Sequence, residues 1–399
     1  MKKIFTLAAA GALATASLGA QAQVTVDGQL TAAEVSATGY TLVGRDLGAR
    51  GFSPSPTNDA GLIALYAAAD ATNLYFFLVG TLQNDGATRT PPIPATISNA
   101  FQLFISRPGV AGVPVGTAVP RPAAATGTAV NTSFQNFGGK LDLPGDMAIA
   151  IRGNDVAAQI QVDGIVYMGG TTPMATAAVL SGTTGVAANG AVADVTGQTG
   201  TLTVFNGAKV AYRTSANLNS NPGFGVAGTG AVPANGLEIS ISRASIGLAA
   251  AGGAVRIFAL QNNQDGGFAS SDYIPQGPLT NDNPGSNPDF TAIAGTQAAT
   301  VNVGAGTAIT LANRSAVAKA LNFRVYPNPG AKVNVDYTVP QGQQEVSLSV
   351  FDVMGRQVRS FNAAQAGKQS YELNNLRAGL YVVKLSVGGQ ETSGKVVIE

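Results

Sequence analysis

Three residue types with distinctive chemistry are missing from this 399-residue sequence, which contains no cysteine, no histidine and no tryptophan. Their absence excludes disulfides, thiolate and imidazole metal sites, iron–sulfur clusters, and serine or cysteine nucleophiles activated by histidine. Charged residues are also scarce, at 11% of the chain against about 25% in an average globular protein. The net charge of only +1 excludes a protein that binds nucleic acid by neutralising its phosphates.

Small and apolar residues are abundant instead, with 50 glycines and a hydrophobic fraction of 45%. Glycine disfavours helices, so this composition favours strands joined by long loops. The hydrophobic fraction is large enough for real cores. At about 150 residues per domain, the length predicts two or three domains.

The first 22 residues have the pattern of a secretory signal peptide. Two lysines near the start precede an apolar stretch, which ends at the small-x-small pattern of Ala20, Gln21 and Ala22. A membrane anchor is the alternative, but the stretch is too short and too rich in threonine and serine to be one. We therefore expect cleavage after Ala22, a mature chain that starts at Gln23, and no transmembrane helix in the mature protein.

Strand patterns recur between residues 23 and 310, and helical periodicity is almost absent. The continuous apolar run at 74–79 is typical of a strand that is covered on both faces. Residues 101–106 and 237–242 alternate between the two faces of a strand. Many short strands separated by glycine and proline turns predict a large antiparallel β-sandwich.

The connections between these strands are predicted from turn residues and from low-complexity composition. Asp163 and Gly164 lie between two apolar stretches and predict a tight hairpin turn. The stretches 108–130, 171–200 and 220–235 consist mostly of small residues or proline. With so few bulky side chains, they are interpreted as long Gly/Ala-rich surface loops of the sandwich.

Few side chains of this region are suited to catalysis. Without histidine or cysteine, an enzyme needs paired carboxylates or an activated lysine, serine or tyrosine. Residues 262–267 offer oxygen ligands for calcium, but a polar turn without metal is the preferred interpretation. We therefore expect no catalytic residue, no metal site and no cofactor. The acidic residues that remain candidates for a catalytic carboxylate pair are Asp59, Asp70, Asp85, Asp142, Asp146, Asp155 and Glu238.

Several short motifs of the middle region resemble DOMON-like domains and family 9 carbohydrate-binding modules. The motifs are 26–30 followed by Glu34, 65–70 with 74–76, 101–105, and 238–242. The resemblance implies a β-sandwich. Members of these families bind sugars on tryptophan platforms or haem through histidine or methionine, and this chain has no tryptophan or histidine to match. Tyr66, Tyr75, Phe76 and Phe77 are interpreted as core residues rather than as a sugar platform.

The last 79 residues have the pattern of a small, separate all-β sandwich. Charged residues become denser from Leu321 onward, which predicts a domain boundary preceded by a linker at 311–320. Residues 346–351 and 381–387 alternate as strands do. Asp352 to Gly355 form the predicted turn after the first of them, where glycine accommodates a positive φ.

Three motifs stand in order in this C-terminal segment. They are Tyr326-Pro327-Asn328-Pro329; Asp352, Gly355 and Arg356 within 347–358; and Gly379 with Tyr381, followed by a final stretch that starts at Lys395. Together they resemble the C-terminal sorting domain of proteins exported by the type IX secretion system. The resemblance implies an immunoglobulin-like fold, recognition by an outer-membrane translocon, and removal by a surface peptidase. An ordinary immunoglobulin-like accessory domain is the alternative.

The sequence thus predicts an all-β, non-enzymatic protein that is secreted or carried on the outer surface of a Gram-negative bacterium of the Bacteroidetes type. Its parts are a signal peptide (1–22), a β-sandwich cargo domain (23–310), a linker (311–320) and a sorting domain (321–399). The expected partners are the translocon and its peptidase. A polysaccharide or cell-surface glycan stays open, because the runner-up function is carbohydrate binding. A glycoside hydrolase with two carboxylates about 5–10 Å apart ranks third.

Overall fold

The computed structural model describes the chain from residue 24 to residue 399 with gaps. The described residues are 24–35, 39–45, 60–84, 97–123, 132–154, 156–182, 184–224, 233–248, 252–276, 283–293, 295–304, 309–311, 321, 323–339, 346–353, 356–362, 366–387 and 390–399. Within these ranges no helix is long and apolar enough to cross a membrane. Some residues singled out in the sequence lie outside them: Ala20, Ala22, Gln23, Asp59, Asp85, Asp155 and Gly355.

The fold is all-β, as the sequence predicts. The strands are β1 (Gln29–Leu30), β2 (Thr41–Arg45), β3 (Gly61–Ala69), β4 (Asn73–Thr81), β5 (Gln83–Asn84), β6 (Ile97–Ser98), β7 (Ala100–Ser106), β8 (Met147–Gly153), β9 (Gln159–Met168), β10 (Met174–Val179), β11 (Val186–Ala187), β12 (Asn189–Asp194), β13 (Lys209–Arg213), β14 (Ala234–Ser242), β15 (Gly253–Asn262), β16 (Ala269–Ile274), β17 (Ala299–Val303), β18 (Ile309–Leu311), β19 (Arg324–Tyr326), β20 (Val333–Val339), β21 (Val346–Asp352), β22 (Gln357–Asn362), β23 (Gly367–Leu373), β24 (Gly379–Val387) and β25 (Gln390–Ile398). Short 3-10 helices lie at Gly200–Phe205, Leu218–Ser220 and Phe290–Ala292.

Two large antiparallel sheets form the cargo sandwich. The seven-stranded sheet has the order β12-β13-β14-β4-β3-β2, with β1 beside β14. The nine-stranded sheet has the order β10-β9-β8-β7-β15-β17-β18, with β11 beside β9 and β16 beside β15. Because successive side chains of a strand point to opposite faces, each sheet contributes alternate residues to one shared core. This core contains Phe76 and Leu237 from the first sheet and Leu103 and Ile149 from the second.

The outer face of the seven-stranded sheet is buried as well. Tyr66 and Phe77 belong to a second apolar cluster, which includes Leu30 and Tyr40 of the N-terminal segment. The rings of Tyr40 and Phe77 meet edge to face, with their centroids 6.0 Å apart. This cover explains why the sequence of β4 is apolar at nearly every position rather than at alternate ones.

Loop segments cover the outer face of the nine-stranded sheet, where Phe104 and Phe258 pack with Phe290. Val113 and Val119, from the stretch predicted to contribute only surface loops, are buried in this cluster. That part of the sequence interpretation is therefore wrong. A loop with few bulky residues still joins a core when an aromatic sheet face supplies most of the apolar area.

The hairpin predicted at Asp163 and Gly164 is also wrong, because both residues lie in the middle of the single strand β9. Asp163 is fully buried and accepts hydrogen bonds from the backbone N–H and the hydroxyl of Ser133, at 2.7 and 2.9 Å. Gly164 is needed for close packing rather than for a turn. A Cβ there would lie 2.7 Å from Leu180 and 2.9 Å from Phe205.

The stretch 171–200, predicted to be a surface loop, instead contains strands β10, β11 and β12. Strand β10 pairs with β9 from Met174 opposite Met168 to Val179 opposite Asp163. Strand β12 extends the seven-stranded sheet beside β13. Small side chains suffice for such edge strands, since backbone hydrogen bonds to an existing strand supply the pairing.

Residues from Leu321 onward build a smaller two-sheet sandwich with its own apolar cluster. Its sheets have the orders β19-β20-β23 and β22-β21-β24-β25. The predicted alternation is confirmed in β21 and β24, where Leu348, Val350, Val383 and Leu385 are fully buried. The β21–β22 hairpin forms where the sequence predicts it.

Candidate functional site

The first C-terminal motif forms an exposed turn between β19 and β20. All four residues from Tyr326 to Pro329 are exposed, and the Tyr326 side chain is 46% exposed. The peptide bonds that precede Pro327 and Pro329 are both cis. This motif therefore presents all four of its residues to solvent.

Asn328 fastens this turn to the terminal strand β25. Its Nδ2 donates to the Lys395 carbonyl at 2.7 Å, and its Oδ1 accepts from the Val397 N–H at 2.9 Å. Gly330 continues the pairing with its backbone, donating to the Val397 carbonyl at 3.1 Å and accepting from the Glu399 N–H at 3.3 Å. The asparagine amide thus occupies the place of a strand neighbour on the outer edge of β25, which would otherwise have unpaired backbone groups there.

A second contact fixes the tyrosine of the same turn. The Tyr326 hydroxyl donates to Asp336 at 2.5 Å, and the Ser370 hydroxyl donates to the other carboxylate oxygen at 2.6 Å. The Ser370 and Tyr326 hydroxyls lower the pKa of Asp336, and this carboxylate in turn raises the pKa of Tyr326. The contact joins β19, β20 and β23 on their outer face.

The second motif closes the β21–β22 hairpin. The Asp352 carboxylate accepts from the backbone N–H of Arg356 at 3.0 Å and from its guanidinium at 3.0 and 2.9 Å. The backbone N–H of Asp352 donates to the Arg356 carbonyl at 2.9 Å. These contacts give the motif a structural role in the hairpin.

The third motif anchors the start of β24. Gly379 is the first residue of this strand, and the Tyr381 side chain is 9% exposed. The Tyr381 hydroxyl donates to the Arg377 carbonyl four residues upstream at 2.8 Å. A tyrosine that bonds back to the preceding backbone in this way resembles the tyrosine corner of immunoglobulin-like sandwiches. Lys395 itself is exposed on β25, beside the buried Val396.

Of the candidate acids in the cargo domain, the structure describes Asp70, Asp142, Asp146 and Glu238. Each of them has its own set of hydrogen-bond partners. Asp70 accepts from two backbone N–H groups of its turn and from Tyr75. Burial opposes the effect, but these donors lower the pKa of Asp70. Asp142 accepts from the Gln297 N–H at 2.7 Å, and burial raises the pKa of Asp142.

The Asp146 carboxylate is fully buried and pairs with Arg107. It accepts from the Arg107 backbone N–H and Nε at 2.8 Å each, and from the guanidinium Nη2 at 2.6 Å. The pair joins the residue that follows β7 to the residue that precedes β8. Asp146 therefore has a structural role in the fold.

Glu238 is fully buried in β14, beneath the N-terminal segment. Its Oε2 accepts from the backbone N–H groups of Asp27 and Gly28 at 2.9 and 3.0 Å, and its Oε1 lies 2.8 Å from the Tyr40 hydroxyl. Burial raises the pKa of Glu238 to about 8, although these contacts oppose the shift. The side chain joins Asp27 and Gly28 of the opening motif to Glu238 of the late motif, so the two motifs meet in space.

Asp163 lies at the centre of a buried network of polar side chains that the sequence reasoning missed. Besides the bonds from Ser133, this carboxylate accepts a hydrogen bond from the Gln161 amide at 2.6 Å. The positive charge of the Arg152 guanidinium also favours the ionised form of Asp163. Burial raises the pKa of Asp163, and these neighbours oppose the shift. Gln102 adds a bond to the Ser133 carbonyl at 2.6 Å. An aspartate at the centre of an apolar strand pattern is the signal that could have revealed this network.

The polar turn at 262–267 uses its oxygens internally. Asp265 accepts from the Gly267 N–H at 2.9 Å and from the Asn136 amide at 2.7 Å, while Asn262 and Asn263 accept from the Phe268 N–H. Phe268 itself is 48% exposed. The other tyrosines and phenylalanines that lie outside apolar runs and that the structure describes are buried or half-buried: Tyr40, Phe134, Phe137, Tyr167, Tyr212, Phe224 and Tyr273.

Comparison with known families identifies the C-terminal domain. Residues 324–399 match the family described as the secretion system C-terminal sorting domain. They belong to this family, and the three motifs with the geometry given above all fall within the matched residues. The chain is therefore a type IX secretion cargo that is secreted or attached to the outer cell surface.

No curated protein sequence matches the chain. Among solved structures, the BSP domain of a biofilm-associated protein has 9% identity and a TM-score of 0.17, covering 86% of this chain and 53% of its own. Dimeric latent PorU from Porphyromonas gingivalis has 10% identity and a TM-score of 0.17, with coverages of 90% and 34%. A polysaccharide lyase has 10% identity and a TM-score of 0.18, with coverages of 86% and 47%. The chain thus spans about a third to a half of each of these structures.

Proposed function

We propose that residues 23–310 are a non-enzymatic β-sandwich module with a binding or structural role, delivered to the cell surface by the sorting domain. The linker predicted at 311–320 lies outside the described residues except for Leu311, which is the last residue of β18. The translocon recognises the sorting domain, and the surface peptidase removes it.

The observation that supports a non-enzymatic cargo is the use of its carboxylates. A glycoside hydrolase needs one carboxyl that gives up its proton to the leaving group and another that attacks or activates water. Here each described carboxylate of the cargo domain instead accepts a hydrogen bond from the protein. These carboxylates are Asp27, Glu34, Asp70, Asp142, Asp146, Asp163, Asp194, Glu238, Asp265, Asp272 and Asp289.

The test is a hydrolysis assay on the chain that starts at residue 23, using a panel of bacterial, plant and algal polysaccharides. We expect no release of reducing ends above that of the same chain after heat denaturation. Sustained release that disappears on replacing one carboxylate by its amide would contradict the non-enzymatic proposal.

Carbohydrate binding is the second candidate, and the exposed ring of Phe268 favours it. A flat apolar face next to amide groups suits a sugar ring, whose hydroxyls need polar partners. Asn263 and Asn136 lie in the same loop cluster. A single phenylalanine is a small platform, so we expect dissociation constants no tighter than about 0.1–1 mM.

Calorimetry against common oligosaccharides tests this candidate, with Phe268→Ala as the variant and Phe224→Ala as a control in the half-buried class. Micromolar binding that only the Phe268→Ala change abolishes would promote carbohydrate binding to the main function. Equal binding by the wild type, Phe268→Ala and Phe224→Ala would show that Phe268 does not bind the sugar.

A further inference from the structure

The three sorting motifs differ in what they contribute to the folded domain. The second motif closes a hairpin through Asp352 and Arg356, and the third anchors a strand through Tyr381. Both therefore have a direct structural reason to be present. The first motif also makes structural hydrogen bonds, through Asn328 and Tyr326, but it contributes no residue to the apolar cluster of this sandwich and its four residues are exposed. Residues that face solvent and add nothing to the core are the ones available to a partner.

We propose that the exposed turn from Tyr326 to Pro329 and the terminal strand β25, fastened together by Asn328, form one surface that the export machinery reads. This inference rests on the sorting role of the domain and adds to it the surface that is read. Asn328 acts as a positioning residue, since both polar atoms of its amide bond to the backbone of β25 rather than facing solvent freely.

The geometry joins residues that are far apart in sequence. Asn328 and Lys395, the partners of one hydrogen bond, are 67 residues apart. Asn328 bonds to Lys395 and Val397 of β25, and both side chains are exposed, Val397 to 38%. Two residues before Asn328, the ring of Tyr326 is exposed as well. The surface thus combines an aromatic ring, two prolines, an apolar side chain and a cation. A chain with an intact turn but a detached β25 would present only half of it.

The Gly330 backbone shows how closely the two parts fit. A Cβ at this position would lie 2.9 Å from Pro327 Cγ and 3.2 Å from the Pro327 carbonyl. The chain must therefore pass directly under the turn before it pairs with Glu399. This close passage places the turn and the end of β25 in one fixed arrangement, as a preorganised recognition surface requires.

The test compares variants of the full chain, expressed in a bacterium that has a type IX secretion system, by the fraction that external protease or antibody can reach. Asn328→Ala removes both side-chain bonds to β25. Asn374→Ala is the matched control, because Asn374 is an exposed asparagine of the same sandwich just after β23. Tyr326→Ala leaves all four bonds to β25 in place but removes the exposed ring.

We expect Asn328→Ala to lower the surface fraction roughly 10- to 30-fold, because each lost hydrogen bond changes an equilibrium by about fivefold. Tyr326→Ala should lower it as well, and Asn374→Ala should match the wild type. In the purified full chain, the Val397 amide should exchange hydrogen about tenfold faster in Asn328→Ala, since it loses its acceptor.

Wild-type export of Asn328→Ala with faster Val397 exchange would overturn the inference, because the two parts would then be detached without effect. If Asn328→Ala is degraded before export, the Tyr326→Ala variant provides the test. Normal export of Tyr326→Ala would likewise overturn the inference. A chain without residues 321–399 separates the two claims. If the chain without residues 321–399 is still exported, the sorting role itself is wrong. If that chain is retained in the cell while Asn328→Ala is exported normally, only the shared surface is refuted.

Discussion

Replacement of Glu238 tests the protonation state of a carboxyl that is buried inside the folded cargo sandwich. Glu238 contacts the N–H groups of Asp27 and Gly28 through one oxygen and the Tyr40 hydroxyl through the other. If it is protonated, Glu238→Gln keeps every contact, because the amide oxygen accepts from the two N–H groups and the amide nitrogen donates to Tyr40. Glu238→Ala leaves the buried Gly28 N–H and Tyr40 hydroxyl, and the half-buried Asp27 N–H, without their hydrogen-bond partner.

The expected magnitudes follow from these contacts. Each unsatisfied buried group costs about 1–3 kcal/mol, so Glu238→Ala should destabilise the cargo domain by about 3–5 kcal/mol. For a domain of this size, that lowers the melting temperature by roughly 10 °C. Glu238→Gln should stay within about 1 kcal/mol of the wild type at pH 5, where both side chains are uncharged in the folded protein.

The pH dependence has a definite sign. The pKa of Glu238 is about 8 in the folded protein and returns to its ordinary value of 4.5 on unfolding. Below pH 4.5 both states hold the proton and the stability is complete. Between 4.5 and 8 only the unfolded chain loses it, so wild-type stability falls by up to about 1.4 kcal/mol per pH unit. The Gln variant does not titrate and should gain relative to the wild type across this window.

Thermal unfolding followed by circular dichroism at pH 5, 6, 7 and 8 measures both effects. We expect the melting temperature of Glu238→Gln, relative to the wild type, to rise by roughly 10 °C from pH 5 to pH 8. A constant difference between the two proteins, with Glu238→Gln as unstable as Glu238→Ala, would show that the carboxyl is ionised throughout. The reasoning from burial would then be refuted.

Three further substitutions probe other contacts by thermal unfolding. Asp146→Ala leaves the partly buried Arg107 guanidinium unpaired and should cost about 3–5 kcal/mol, and a loss below about 1 kcal/mol would show that the pair contributes little. Tyr381→Phe removes one bond to Arg377 and should cost about 1 kcal/mol in the C-terminal sandwich, with no change in the cargo transition. Gly28→Ala forces a side chain onto a residue with φ +71° and should cost about 1–3 kcal/mol, whereas an unchanged melting temperature would contradict that strain.

Strands with strong apolar patterns could be predicted from the sequence. The run at 74–79 lies in β4, and the alternating stretches 101–106 and 237–242 lie in β7 and β14. These patterns are local, and burial on one or both faces of a sheet leaves a direct trace in residue type. The contacts of Asp70 are local as well, because its carboxylate bonds to N–H groups only two and three residues away.

The errors arose where a distant partner overrides local chemistry. Asp163 and Gly164 have the sequence of a hairpin turn, but the N–H and hydroxyl of Ser133, 30 residues away, supply the bonds that keep Asp163 inside a strand. Strand β10 has almost no hydrophobic pattern, because an edge strand needs only the backbone of β9 beside it. Ser133 is not visible in the local sequence of β9, and pairing with the preceding strand leaves no hydrophobic pattern in β10.

The candidate site shows the same division between local and distant contacts. The three motifs that contain Tyr326, Asp352 and Tyr381 could be predicted from residue types in order, and residues 324–399 match the sorting family. The bond between Asn328 and Lys395 could not, because it forms only after the whole sandwich has folded. Sequence therefore predicts which segment directs export, and structure shows which parts of it lie together.

The measurement that tests the central claim most directly is the surface-exposed fraction of the chain with and without its sorting domain, in a bacterium that has a type IX secretion system. The full chain should be accessible to external protease or antibody. A chain that ends at residue 313 should accumulate in the periplasm as a soluble, protease-resistant protein. If the shortened chain reaches the surface as efficiently as the full chain, residues 321–399 do not direct its export and the account is wrong.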